Sequence, residues 1–139
     1  MAGRVARPDE SGPEVHPAQL RADQAALRFG LEVAALIGWG MFGWSVFDGA
    51  ARWIGVVALP FGAAAAWGLF RVPGDASASG NAPIAVDGRI RLAVELVVLI
   101  GAGAAVAAVG YVGFGVVLVV AAAIHYLTTR RRVRWLLAG

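Results

Sequence analysis

The chain has 139 residues, of which 59% are hydrophobic and only 15% charged, with a mean hydropathy of +0.70. A soluble domain of this length cannot cover so much apolar surface, so the composition excludes an ordinary water-soluble fold and predicts an all-α membrane protein. Its basic residues are all Arg, and they flank apolar runs instead of forming a stripe interleaved with aromatics. That pattern argues against nucleic acid and for the lipid bilayer, with its anionic headgroups, as the partner. The absence of Cys excludes disulfides, thiolate catalysis and cysteine metal sites.

Residues 1–26 are predicted to be a disordered cytoplasmic tail, with Pro8, Pro13 and Pro17 set among charges. No apolar segment follows the start, so a cleaved secretory signal is not expected. Ala22 to Leu27 can extend the first helix outward. Four apolar runs then predict membrane helices at about 28–47, 53–70, 90–109 and 112–129. At about 1.5 Å per residue each comes close to the ~30 Å hydrocarbon core. The runs are interrupted only by Glu32, Glu95 and His125. Between the second and third lies a polar linker, Arg71 to Arg91, and residues 130–139 are expected to be a basic cytoplasmic tail.

With the N-terminus inside, eleven Arg residues fall on the cytoplasmic side and only Arg52 outside. The positive-inside rule therefore predicts both termini and the linker in the cytoplasm of a bacterial inner membrane protein. Arg130 to Arg134, directly after an apolar run, reads as a stop-transfer anchor and not as a nucleic-acid signal. Trp53, Trp67, Tyr126 and Trp135 fall near span ends, where amphipathic rings are favoured.

A shift of 63 residues aligns Arg28 to Gly40 with Arg91 to Gly103, with six of thirteen positions identical. Both copies hold Arg-x-x-x-Glu and a pair of glycines. Each unit contains two helices, so the copies enter the membrane in the same direction. The expected architecture is four transmembrane helices as two parallel-repeat hairpins, related by a pseudo-two-fold axis along the membrane normal.

Leu27-Arg28-Phe29-x-Leu31-Glu32 opens the first helix, Trp67-Gly68-Leu69-Phe70 closes the second, and Arg91-Leu92-x-x-Glu95-Leu96 opens the third. In these strings the chain resembles the YrdB-like family of small bacterial integral membrane proteins of unknown function. The resemblance runs from about Leu27 to Leu127 and leaves the tail before Arg21 outside. It implies a four-helix bundle and no assigned activity.

Polar groups inside a bilayer are expensive and need partners, so candidate chemistry resides with them. Arg28 with Glu32, and Arg91 with Glu95, are spaced i to i+4 on one helix face. Both carboxylates enter from the same side and sit roughly 6 Å deep by the helical rise. His125 and Trp67 precede their own boundary Arg residues by about the same distance. Counting therefore assembles one cytoplasmic-side layer of Arg28, Glu32, Trp67, Arg91, Glu95 and His125.

One reading of the layer is structural, with each Arg anchored at the boundary and neutralised by its Glu. A sharper one is a site where two carboxylates and an imidazole share a proton or cation. Catalysis, cofactors and metals lack a supporting constellation. The sequence is read as a non-enzymatic membrane protein. The alternatives are a small proton- or cation-coupled transporter acting as a homodimer and an accessory subunit of a larger membrane complex.

Two apparent signals are better explained by packing. Gly38-x-Gly40-x-x-Gly43 matches a dinucleotide fingerprint but lies inside an apolar helix with no preceding strand. Its glycines, and the pairs Gly62/Ala66, Ala64/Gly68, Gly101/Ala105 and Gly103/Ala107, predict close helix contact instead. Pro60 predicts a bend in the second helix by freeing the carbonyl of Val56.

Overall fold

The structure is a computed structural model that describes residues 20–75 and 82–138. Residues 1–19 of the expected tail, including His16, lie outside the described residues, as does the middle of the linker. Four long helices are present: α1 (Ala22–Val46), α2 (Ala51–Leu69), α3 (Gly88–Ala108) and α4 (Val112–Thr128). A short helix, α5 (Arg130–Ala138), follows. The linker adds a minimal parallel pairing of β1 (Phe70–Arg71) with β2 (Ile84–Ala85). By length and composition, α1, α2 and α3 can each cross a membrane, and α4 with α5 adds a fourth if the bent pair is one span.

The first helix begins at Ala22, six residues earlier than the apolar run, because Gln24 supplies the missing partner at its start. The Gln24 side-chain oxygen accepts from the Arg21 amide at 3.1 Å, and its amide group donates to the Thr128 carbonyl at the end of α4 at 3.1 Å. Asp87 caps α3 by accepting from the Ile90 amide at 2.9 Å. Between α3 and α4, Gly110 adopts φ +102°, which a side chain would resist, and the chain reverses within three residues. Pro60 lies inside α2, whose helix continues through it to Leu69.

Residues 130–139 were expected to be a tail, yet 130–138 are helical and turn by 74° from α4. The break forms at Thr129. Its amide and hydroxyl both donate to the His125 carbonyl, at 2.9 and 2.7 Å, and the Thr128 hydroxyl donates there too. Those bonds satisfy the helix end locally and release the chain into a new direction.

In lipid the tails are as apolar as Leu, so close packing and not water exclusion holds helices together. The core of α1, α3 and α4 is accordingly built from Leu31, Ala35, Val98, Leu99, Ala102, Leu118 and Ala122. Glycines set two closer crossings. A Cβ on Gly43 of α1 would fall on the Gly55 backbone of α2, and one on Gly115 of α4 would fall on the Gly103 backbone of α3. Gly40 faces Val56 and Pro60, while Gly101 sits under the Trp39 ring. The expected pairs in α2 do not serve this role: a Cβ at Gly62 or Gly68 would meet nothing within 4 Å. The reason is that α2 packs mainly on α1 and turns Trp53, Ile54, Val57 and Phe61 outward.

Candidate functional site

The two Arg-x-x-x-Glu units make the same local pair. Arg28 Nε meets Glu32 Oε1 at 3.1 Å, and Arg91 Nε meets Glu95 Oε1 at 3.0 Å. One helical turn brings each guanidinium over its carboxylate, as the i to i+4 spacing requires. The environments differ. The Glu32 side chain is 30% exposed, whereas that of Glu95 is fully enclosed.

Glu95 is the hub. Its Oε1 accepts from Arg28 Nη2 at 2.8 Å, Arg91 Nε at 3.0 Å and Arg132 Nη2 at 2.9 Å. Its Oε2 accepts from Arg132 Nη1 at 3.1 Å and the Tyr126 hydroxyl at 3.3 Å. Arg28 therefore bridges both acidic residues, and one carboxylate ties α1, α3, α4 and α5 together. Arg91 also reaches the second helix, with Nη1 at 2.6 Å from both the Trp67 and Phe70 carbonyls. These are the carbonyls a helix end leaves without partners, so the bond also closes α2. The Trp67 ring lies under two cations, with Arg28 and Arg91 at 5.0 and 4.9 Å from its centroid.

Two contributors escaped the sequence reading. Arg132 of α5 is buried and forks between Glu95 and Asp75, with Nη2 at 2.6 Å from Asp75 Oδ2 and Nε at 3.3 Å from Oδ1. Asp75, buried at the start of the linker, is the second. The signal for Arg132 was present as an amphipathic pattern, with Arg132 and Leu136 one turn apart and both buried. The signal for Asp75 was absent, since nothing local distinguishes it from a solvated loop acid.

The structure brings Arg28, Glu32, Trp67, Arg91 and Glu95 into one bonded network. His125 lies buried at the same end of the helices, edge-on to Tyr126 with centroids 5.4 Å apart. Neither ring nitrogen of His125 has a hydrogen-bond partner among the described residues, so it does not share a proton directly with either carboxylate. Arg28, Arg91 and Arg132 face Glu32, Glu95 and Asp75, three cations against three anions.

Comparison with known proteins adds a family. The profile described as "Protein of unknown function (DUF2568)" matches residues 26–123. The matched stretch contains Arg28, Glu32, Trp67, Arg91 and Glu95 and ends before His125 and Arg132. The chain is also 35% identical over 119 residues to "Uncharacterized protein YrdB" of Bacillus subtilis (strain 168), covering 86% of this chain and 97% of that one. No solved structure matches.

Proposed function

The chain belongs to the DUF2568 family of proteins of unknown function, and we propose that it is a non-enzymatic, four-span membrane protein closed at its cytoplasmic end by a structural charge clamp. The observation that carries this reading is the charge balance around Glu95, whose two oxygens accept five hydrogen bonds from three Arg residues and Tyr126. A carboxylate filled in this way has no lone pair left for general-base work. A cation approaching it would meet three guanidiniums first. The outcome is a knot that fixes helix positions where lipid supplies no driving force.

The architecture proposed is two hairpins in parallel repeat with both termini in the cytoplasm of a bacterial cell membrane. Equivalent positions 63 residues apart support the repeat. Gly40 faces α2 and Gly103 faces α4, each its own hairpin partner, while Gly38 faces Ala102 of α3 and Gly101 faces Trp39 of α1. The arginine bias supports the orientation.

A second reading is favoured by one observation, the buried His125 whose two ring nitrogens have no partner among the described residues. On that reading the layer exchanges protons or a small cation, and a homodimer completes a pathway too wide for one copy to line. Reconstituted vesicles containing a pH-sensitive dye separate the two. The clamp reading expects no proton flux above empty vesicles from wild type, Glu95→Gln or His125→Ala, with Glu95→Gln less resistant to unfolding. Flux from wild type that Glu95→Gln and His125→Ala abolish would replace the clamp with the transport reading.

A further inference from the structure

Every buried Arg in the described residues is paired, but four exposed ones are not. The side chains of Arg89, Arg130, Arg131 and Arg134 make no ion pair or hydrogen bond among the described residues. Arg89 sits in the first turn of α3, and the other three lie on α5. These helices touch directly, because a Cβ on Gly88 would fall on the Leu136 carbonyl. Beside that contact is a groove of ≈ 490 Å³ lined by Val72, Pro73, Val86, Asp87, Trp135 and Leu136.

The groove is lined mainly by apolar side chains, and two of the unpaired cations adjoin its lining residues along their helices. Arg89 follows Gly88, which lines it, and Arg131 lies one turn before Trp135 on the same side of α5. Asp87 is the one acid in the lining, and one of its oxygens already accepts the Ile90 amide. The chain turns by 74° after α4 and α5 packs against α3, the placement expected of a helix lying at the level where headgroups meet water.

We propose that this groove binds the headgroup of an anionic phospholipid, with Arg89 and Arg131 on the phosphate and Trp135 against the glycerol and upper acyl chain. Apolar walls with unpaired cations adjoining them along α3 and α5 fit an amphipathic anion better than a soluble one. A free phosphate would gain nothing from Val72, Val86 or Trp135. A nucleic acid or acidic protein would use the outer Arg130 and Arg134 face and leave the groove empty. The inference goes beyond the clamp, since none of its lipid contacts belongs to the Glu95 network.

The test uses the full chain in nanodiscs of phosphatidylcholine doped with spin-labelled phosphatidylglycerol or spin-labelled phosphatidylcholine. The fraction of motionally restricted label reports binding. We expect phosphatidylglycerol to be selected, the selectivity to fall with salt, and Arg89→Gln/Arg131→Gln to lower it by about fivefold per Arg. Arg89→Lys/Arg131→Lys should keep it, which separates charge from folding. Trp135→Ala should weaken retention at unchanged salt dependence. Equal restriction of both lipids, unchanged selectivity in the double Gln variant, or full displacement by millimolar inorganic phosphate would each overturn the proposal. Loss that follows Arg130→Gln/Arg134→Gln instead would move the contact to the outer face and overturn the groove.

Discussion

Replacing Glu95 with Gln removes the one anion that three guanidiniums share while leaving the shape of the site almost unchanged. The amide oxygen can still accept, but its nitrogen must face a donor, because both oxygens of Glu95 take hydrogen bonds from Arg132. The cluster becomes three cations against two anions inside a buried site. Removing one partner of a buried ion pair costs roughly 3–5 kcal/mol, because the remaining charge stays uncompensated. Glu32→Gln removes an anion with one Arg contact and a 30% exposed side chain, for which about 0–1 kcal/mol is expected after solvent screening. Unfolding by SDS in mixed micelles, followed by tryptophan fluorescence, measures both. Adding Arg28→Gln to Glu95→Gln restores neutrality, so the double variant should lose about 1–3 kcal/mol less than the sum of the singles. A Glu95→Gln loss below about 1 kcal/mol, or a Glu32→Gln loss of equal size, would refute the hub.

A reporter fused after Gly139 or inserted at Ser79 should be active only in the cytoplasm, and a periplasmic signal from either would overturn the proposed topology. Arg132→Lys keeps the charge but loses the fork that reaches Asp75 and Glu95 together. It should cost about 1–3 kcal/mol and expose α5 to trypsin in membranes, both read against wild type. Gly43→Ala places a methyl on the Gly55 backbone and should destabilise by about 1–3 kcal/mol in the same SDS titration. Gly62→Ala, where nothing lies within 4 Å, should be neutral or slightly stabilising through helix propensity.

The long helices were legible because a bilayer enforces length and apolarity at once, a constraint that composition records directly. The pairing of Arg28 with Glu32 and Arg91 with Glu95 was legible for a similar reason, since an i to i+4 spacing fixes geometry within one helix. What sequence counting missed is what long-range folding decides. Arg132 read as one of a stop-transfer run because it follows an apolar run together with Arg130, Arg131 and Arg134, and only the break at Thr129 turns it inward while those neighbours stay exposed. Asp75 gains its role from a loop's path, which no periodicity encodes. His125 was placed at the right level by counting, yet its lack of a partner depends on ring orientation. The glycines of α2 show the converse. Their spacing fits close packing, but α2 lies at the edge of the assembly and turns that face outward.

The contrast between the two acidic residues has a physical origin in the linker and α5. Shifting Arg132 back by 63 positions lands on Leu69, so the first unit has no cation in the corresponding place. Glu32 accordingly keeps one guanidinium and partial exposure, whereas Glu95 gains Arg132 from α5 and Arg28 from the other unit. An additional cation alone would leave the cluster positively charged, and Asp75 supplies the balancing anion from the linker. The two segments outside the long helices therefore arrive as a neutral pair, whose mutual attraction offsets the desolvation cost that each buried charge incurs. On the repeat reading, the second carboxylate became central because α5 and the linker closed over it together. Either one alone would have left the buried cluster with an uncompensated net charge.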